Sequence, residues 1–284
     1  MSSAQVITAA LRLWIVEQTQ LGHPTEQVLA SMMASGWDAA VAQRALDATL
    51  SPAENTALAV ASDARAEHLP EPDLSGGRAL LWAGDREVKV LLTLASPRLV
   101  VFGGLLSDDE CDAMVALSAA RLARSETVAS TEGVSEVNAA RTSDGMFFER
   151  AENEVVRRVE ARLALLLNWP VEHGEGLQIL RYGSGAEYLP HYDYFDPSGA
   201  STPDILLRGG QRLATVVMYL NTPAAGGVTT FPDVGLEVMP IKGNAVFFSY
   251  DRPHPDTQSL HGGAPVREGE KWVATKWLRQ GIFV

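Results

Sequence analysis

The chain has 284 residues, 46% of them hydrophobic and 20% charged, and its 35 acidic against 23 basic side chains leave a formal net charge of −12. That composition is globular, long enough for one large domain and a small one, and its acidity works against tight binding to nucleic-acid phosphates. The single cysteine, Cys111, excludes an intramolecular disulfide, a Cys-rich zinc site and an iron–sulfur cluster held by several thiolates of the chain.

A lone cysteine suits a reducing compartment. Met1 to Gln20 lacks the order of a secretory signal, because Glu17, Gln18 and Gln20 interrupt its apolar pattern. No run approaches the roughly 20 apolar residues of a membrane span. The expectation is a soluble, cytoplasmic protein without a membrane or nucleic-acid partner.

In chain order, Ile7, Leu11, Trp14 and Ile15 form one helical stripe between Ala4 and Gln18, ending near Gly22. Pro24 at a first helical position opens a second helix to about Ala34, and Asp38 caps a third through Val41 and Leu46. Residues 1–50 therefore read as a small helical module, able to dock a partner or dimerise. Residues 51–78, with Pro52, Pro70, Pro72 and Gly76-Gly77, read as a linker in which Thr56 to Ala66 can be helical. Residues 79–284 form the second domain.

There the texture changes. Val88–Leu94 and Leu99–Phe102 are β-rich, Ser107 with Glu110 makes a capping box, and Ala151–Leu167 carries Val155, Val156, Val159, Leu163, Leu166 and Leu167 on one helical face. Strands are expected at Leu177–Tyr182, Leu213–Leu220, Ala245–Tyr250 and Trp272–Leu278. The fold class is α+β with a mainly β second domain, a helix-backed antiparallel sandwich or barrel.

His191-Tyr192-Asp193 follows a turn-forming stretch and Pro190. Residues i and i+2 of a strand share a face, so an imidazole and a carboxylate converge as two metal ligands. A third can come from His261, 68 residues after Asp193. Two histidines and a carboxylate leave open positions on an octahedral ion, which suits non-haem Fe(II). His254, between Pro253 and Pro255, competes for that place, but only His261 is followed ten residues later by Lys271. Lys271, Val273, Thr275 and Trp277 alternate on one strand face, with Trp272 turned to the core. An inward lysine is costly unless an anion pairs with it, and a metal-chelating dicarboxylic acid supplies one. His23, His68 and His173 read as turn, helix-start or linker residues.

The ordered segments Gly176–Tyr182, Tyr188–Asp193, Gly226–Pro232, Lys242–Phe248 and His261–Val266, with Lys271-Trp272 and Lys276-Trp277, resemble the catalytic domain of prolyl 4-hydroxylases from about Ser96 to Phe283. The resemblance implies a double-stranded β-helix, or jelly roll, and a dioxygenase dependent on Fe(II), 2-oxoglutarate and O₂, with ascorbate as a further requirement. It implies His191, Asp193 and His261 as iron ligands and Lys271 as the partner of the distal carboxylate of 2-oxoglutarate. It also implies Tyr182, Thr215 and Tyr219 near the cosubstrate and Trp277 as a wall near the iron. Arg141 is a candidate substrate contact, and the stretch 197–212 is a candidate lid. The implied reaction hydroxylates a prolyl residue of a peptide or protein at the 4-position, coupled to conversion of 2-oxoglutarate to succinate. Free proline or another amino acid is the alternative substrate. A non-catalytic jelly-roll binding module is the alternative role.

Overall fold

The computed structural model describes residues 15, 18–19, 23–35, 37–50, 69–124, 127–128, 135–136 and 142–284, in two compact units, Met1–His68 and Leu69–Val284. The expected helix at Ala4–Gln18, apart from Ile15 and Gln18, and the possible helix at Thr56–Ala66 lie outside the described residues.

In the first unit, helices α1 (Thr25–Ala34) and α2 (Ala39–Leu50) occupy the expected places. Pro24 is the N-cap of α1 rather than its first helical residue. Asp38 caps α2, its Oδ1 accepting from the backbone N–H of Ala40 and Val41 at 2.9 and 3.2 Å. Val28 and Met32 of α1 pack with Ile15, Ala42, Ala45 and Leu46 in a small apolar core.

The second unit runs β1 (Leu80–Trp82), β2 (Glu87–Leu94), β3 (Arg98–Gly103), α3 (Asp108–Ala119), β4 (Ala123–Arg124), β5 (Thr127–Val128), β6 (Ser135–Glu136), β7 (Asp144–Phe148) and α4 (Glu154–Leu166). It continues through β8 (Leu177–Tyr182), β9 (Tyr188–His191), α5 (Thr202–Leu206), β10 (Arg212–Tyr219), β11 (Ala225–Gly226), β12 (Thr229–Phe231) and β13 (Leu236–Val238). The last strands are β14 (Ala245–Ser249), β15 (His261–Gly263), β16 (Val266–Glu268) and β17 (Lys271–Arg279). Among the described residues, nine strands form a large antiparallel sheet in the order β1-β2-β3-β14-β10-β17-β8-β7-β4. A smaller sheet has the order β13-β12-β15-β9, and the whole is a helix-backed jelly roll.

Strand alternation divides the large sheet into two chemistries. One face, with Val100, Phe102, Val216, Met218, Phe247 and Ala274, packs against Cys111 and Met114 of α3 and Val156, Val159, Leu163 and Leu166 of α4. The other face, with Leu99, Val101, Leu180, Tyr219, Val246, Phe248 and Val273, packs against Phe231 and Val238 of the small sheet. The capping box holds at α3, where Ser107 and Glu110 satisfy each other's backbone N–H. Helix α4 starts later than the apolar stripe suggests. Ala151 sits at φ 55° with its N–H on Glu160 at 2.8 Å, and Asn153 supplies the cap.

The second unit begins at Leu69, so residues 69–78, expected in the linker, belong to it. Glu71 explains this. Its carboxylate accepts two hydrogen bonds from Arg98 at 3.0 and 2.7 Å, and its N–H donates to Leu167 O at 2.9 Å. No helix among the described residues is long and apolar enough to cross a membrane.

Candidate metal and dicarboxylate site

The site lies where the two sheets face each other. Strands β9 and β15 pair antiparallel with His191 opposite His261, and the ring centroids are 4.4 Å apart. Asp193 follows two residues beyond His191 and brings its carboxylate between them. His191 Nε2 is 3.6 Å from Asp193 Oδ1, and His261 Nε2 is 3.3 Å from Oδ2. The ligand atoms of all three residues lie within 4.8 Å of one another.

Each imidazole is held in one tautomer by its own strand. His191 Nδ1 donates to Leu189 O and His261 Nδ1 to Ser259 O, both at 2.9 Å. A carbonyl can only accept, so the proton sits on Nδ1 and the Nε2 lone pair faces the cluster. Burial, and then His261, push the His191 pKa down and favour the neutral, ligating form. Burial alone would raise the Asp193 carboxyl, but His261 and His191 outweigh it and hold the group well below the usual carboxylate range. Two ring-nitrogen donors and one carboxylate oxygen donor, with no lysine or arginine side chain paired to the carboxylate among the described residues, fit a divalent cation with open positions.

A cavity opens beside the cluster, lined by His191, Asp193, His261, Tyr182, Lys271 and Trp277 among others. The Lys271 side chain is 5% exposed, and its Nζ lies 5.7 Å from the ring centroids of Tyr182 and Tyr219. No carboxylate pairs with it among the described residues, and burial pushes its pKa down to about 8. Gly227, at φ 70°, makes room for this lysine, since a Cβ there would stand 3.2 Å from Lys271 Cδ.

Thr215 and Tyr219 each have a hydrogen-bond partner inside the chain. Thr215 does not line the cavity; its hydroxyl donates to Asp193 Oδ2 at 2.7 Å. Tyr219 turns its ring toward Lys271 but donates its hydroxyl to Thr229 Oγ1 at 2.9 Å. Both bonds reach cross-sheet neighbours that a single strand does not reveal. Arg141 lies outside the described residues. His254 is exposed and pairs with Asp256 at 2.8 Å, apart from the cluster. Trp272 packs into the helix-side core.

Gln178, Tyr188, Thr229 and Thr275 also line the cavity. Tyr188 stacks on His191 with centroids 3.7 Å apart. Gln178 and Trp277 are more than nine-tenths buried, and Gln178 Oε1 and Trp277 Nε1 have no hydrogen-bond partner among the described residues. Alternation along β8 from Tyr182 to Leu180 to Gln178 is the signal that points to Gln178. Behind Trp277, Arg212 stacks at 3.9 Å from its ring and pairs with Glu175 at 2.6 Å. The stretch 197–212 contains α5 and is tied to the C-terminal tail: Gly281 N–H donates to Gly209 O at 2.8 Å, and Arg208 to Val284 O at 2.8 Å.

Residues 177–279 match the 2OG-Fe(II) oxygenase superfamily. The probable prolyl 4-hydroxylase 4 of Arabidopsis thaliana is 38% identical over 218 residues, spanning 69% of this chain and 72% of that protein. The chain belongs to the prolyl 4-hydroxylase family. Probable prolyl 4-hydroxylase 6 of the same plant is 41% identical over 209 residues, spanning 66% of this chain and 71% of its own length. A solved viral collagen prolyl hydroxylase from Paramecium Bursaria Chlorella virus-1, in complex with 2-oxoglutarate, is 30% identical over 64% of this chain and 95% of that chain, with a TM-score of 0.49. As a family member the chain is a dioxygenase that uses Fe(II), 2-oxoglutarate and O₂.

Proposed function

We propose that the cavity hydroxylates a prolyl residue of a peptide or protein, with His191, Asp193 and His261 holding the iron and Lys271 holding the far carboxylate of 2-oxoglutarate. The observation that carries this reading is the pair of features in one cavity, a three-donor cluster and a buried ammonium with no carboxylate of its own. An uncompensated buried charge costs stability, so its retention is explained by an anionic occupant.

When bound, Fe(II) supplies the oxidising chemistry that couples decarboxylation of 2-oxoglutarate to hydroxylation of a C–H bond. The chain's residues divide the remaining work. His191 and His261 present Nε2 and Asp193 an ionised oxygen. Lys271 forms a charge-assisted bond to the distal carboxylate and so sets which end of the cosubstrate faces the cluster. Tyr182, Tyr188 and Trp277 wall the cavity and exclude water. Lys271 and Trp277 stand six residues apart on β17, roughly 20 Å at about 3.3 Å per residue. A five-carbon diacid does not span that length, which leaves the Trp277 end for substrate. There the half-exposed Phe147 continues the apolar wall, its ring centroid 6.5 Å from that of Trp277, and suits a chain longer than a free amino acid. In this reading the N-terminal helical unit docks a partner or dimerises, which comparison of the oligomeric state of the full chain with that of Leu69–Val284 checks.

The test is succinate release from 2-oxoglutarate with Fe(II) and ascorbate, combined with mass spectrometry of proline-containing peptides. The expected result is peptide-dependent succinate and one added oxygen on a prolyl residue. Hydroxylation of free proline with unmodified peptides would replace the peptide reading, and no succinate from any of them would refute it.

A further inference from the structure

The oxygen of Asp193 that faces Thr215 accepts a buried hydrogen bond. Thr215 Oγ1 donates to Asp193 Oδ2 at 2.7 Å, and Tyr250 OH lies 3.0 Å from Thr215 Oγ1. Thr215 is fully buried and Tyr250 is 2% exposed, so water does not compete for these bonds. A hydroxyl has one proton. Because the Thr215 proton goes to the carboxylate, Tyr250 must be the donor to Thr215, and the chain of bonds runs Tyr250 to Thr215 to Asp193. Its direction is thereby fixed. From the other side Arg212 Nη1 donates to the Asp193 backbone carbonyl at 3.2 Å. The main chain and one carboxylate oxygen of Asp193 are both held.

We propose that Tyr250 and Thr215 are positioning residues that fix Asp193 as a one-oxygen ligand, reserving Oδ2 for hydrogen bonding and presenting Oδ1 to the metal. This rests on the metal-centre reading given above. A carboxylate free to rotate can offer both oxygens to one ion and fill a coordination position that the cosubstrate needs. The Thr215 hydroxyl disfavours this by taking one lone pair of Oδ2 and restraining the carboxylate's rotation, and Tyr250 keeps that hydroxyl pointed. Sequence position alone places Thr215 beside the cosubstrate carboxylate, whereas its hydrogen bond assigns it to the ligand.

The experiment is equilibrium titration of the full chain with Co(II), followed by visible absorption, and then titration of the Co(II)-loaded protein with 2-oxoglutarate. Thr215→Val should weaken Co(II) binding by about 10- to 100-fold, the range for partners that orient a metal ligand, and should weaken 2-oxoglutarate binding to the loaded protein as well. Tyr250→Phe should shift both in the same direction by less, and Thr215→Ser should restore both. Unchanged Co(II) and 2-oxoglutarate affinities in Thr215→Val would overturn the proposal. If Thr215→Val does not fold, Tyr250→Phe, which removes one oxygen and keeps the ring, decides on the same readings. Absence of Co(II) binding by the wild-type chain would overturn the metal-centre reading itself.

Discussion

Two buried lysines on one strand have opposite surroundings. Lys276, on the helix-side face of β17, is 2% exposed; its ammonium donates to Glu160 Oε1 at 2.5 Å and to the Glu175 carbonyl. Lys271, on the cavity face of the same strand, is 5% exposed and meets two aromatic rings and no carboxylate among the described residues. The helix side repeats the first pattern. Arg162 donates to Asp85 at 2.8 Å and to Glu110 at 2.7 Å. A buried charge whose partner is in the chain serves the fold; one whose partner is missing marks where a ligand of opposite sign binds.

The largest effect that sharpens this contrast is on stability. Lys276→Met leaves the Glu160 carboxylate buried without its cation and should cost about 3–5 kcal/mol in urea denaturation. Lys271→Met removes a charge that has no partner, so the same measurement should show equal or greater stability. A larger loss in Lys271→Met than in Lys276→Met would break the comparison.

Next comes affinity. Lys271→Met should weaken 2-oxoglutarate binding to the metal-loaded protein by about 10- to 150-fold, the equivalent of roughly 1.5–3 kcal/mol for a charge-assisted hydrogen bond. Titration calorimetry without oxygen measures it, and unchanged affinity would remove Lys271 from the site.

The pH dependence has a definite sign. Burial brings the Lys271 amine to about 8. Below that pH the ammonium is already charged and binds the diacid without proton uptake. Above it binding must first add a proton, so wild-type affinity should fall about tenfold per pH unit. An affinity that stays flat from about pH 7 to about pH 9.5 would contradict this linkage. The smallest effect is at Gln178. Gln178→Leu removes a buried carbonyl that has no partner among the described residues and should raise stability by about 1 kcal/mol in urea denaturation. It should also raise KM for a peptide substrate, and a loss of stability would show that the carbonyl already has a partner.

Sequence alternation alone separates the two faces of β17, placing Lys271, Val273, Thr275 and Trp277 together and Trp272 opposite, because a period of two needs no knowledge of neighbours. The same local rule marks His191 with Asp193 and the strands of the large sheet. It does not show which distant residue closes a charge or hydrogen-bond pair. The Glu160 partner of Lys276 is 116 residues away, and the Thr215 partner of Asp193 sits on another strand 22 residues on. The Pro- and Gly-rich texture of residues 69–78 resembles a linker for the same reason. Its tie to Arg98 through Glu71 is a tertiary contact that composition does not encode.

Metal stoichiometry tests the central claim most directly, because two histidines compete for the third ligand position by sequence and only one reaches the cluster. Equilibrium dialysis against Fe(II) without oxygen should give one ion per chain for the wild type and for His254→Ala, and none for His261→Ala. One ion retained by His261→Ala and lost by His254→Ala would contradict the assignment of the site.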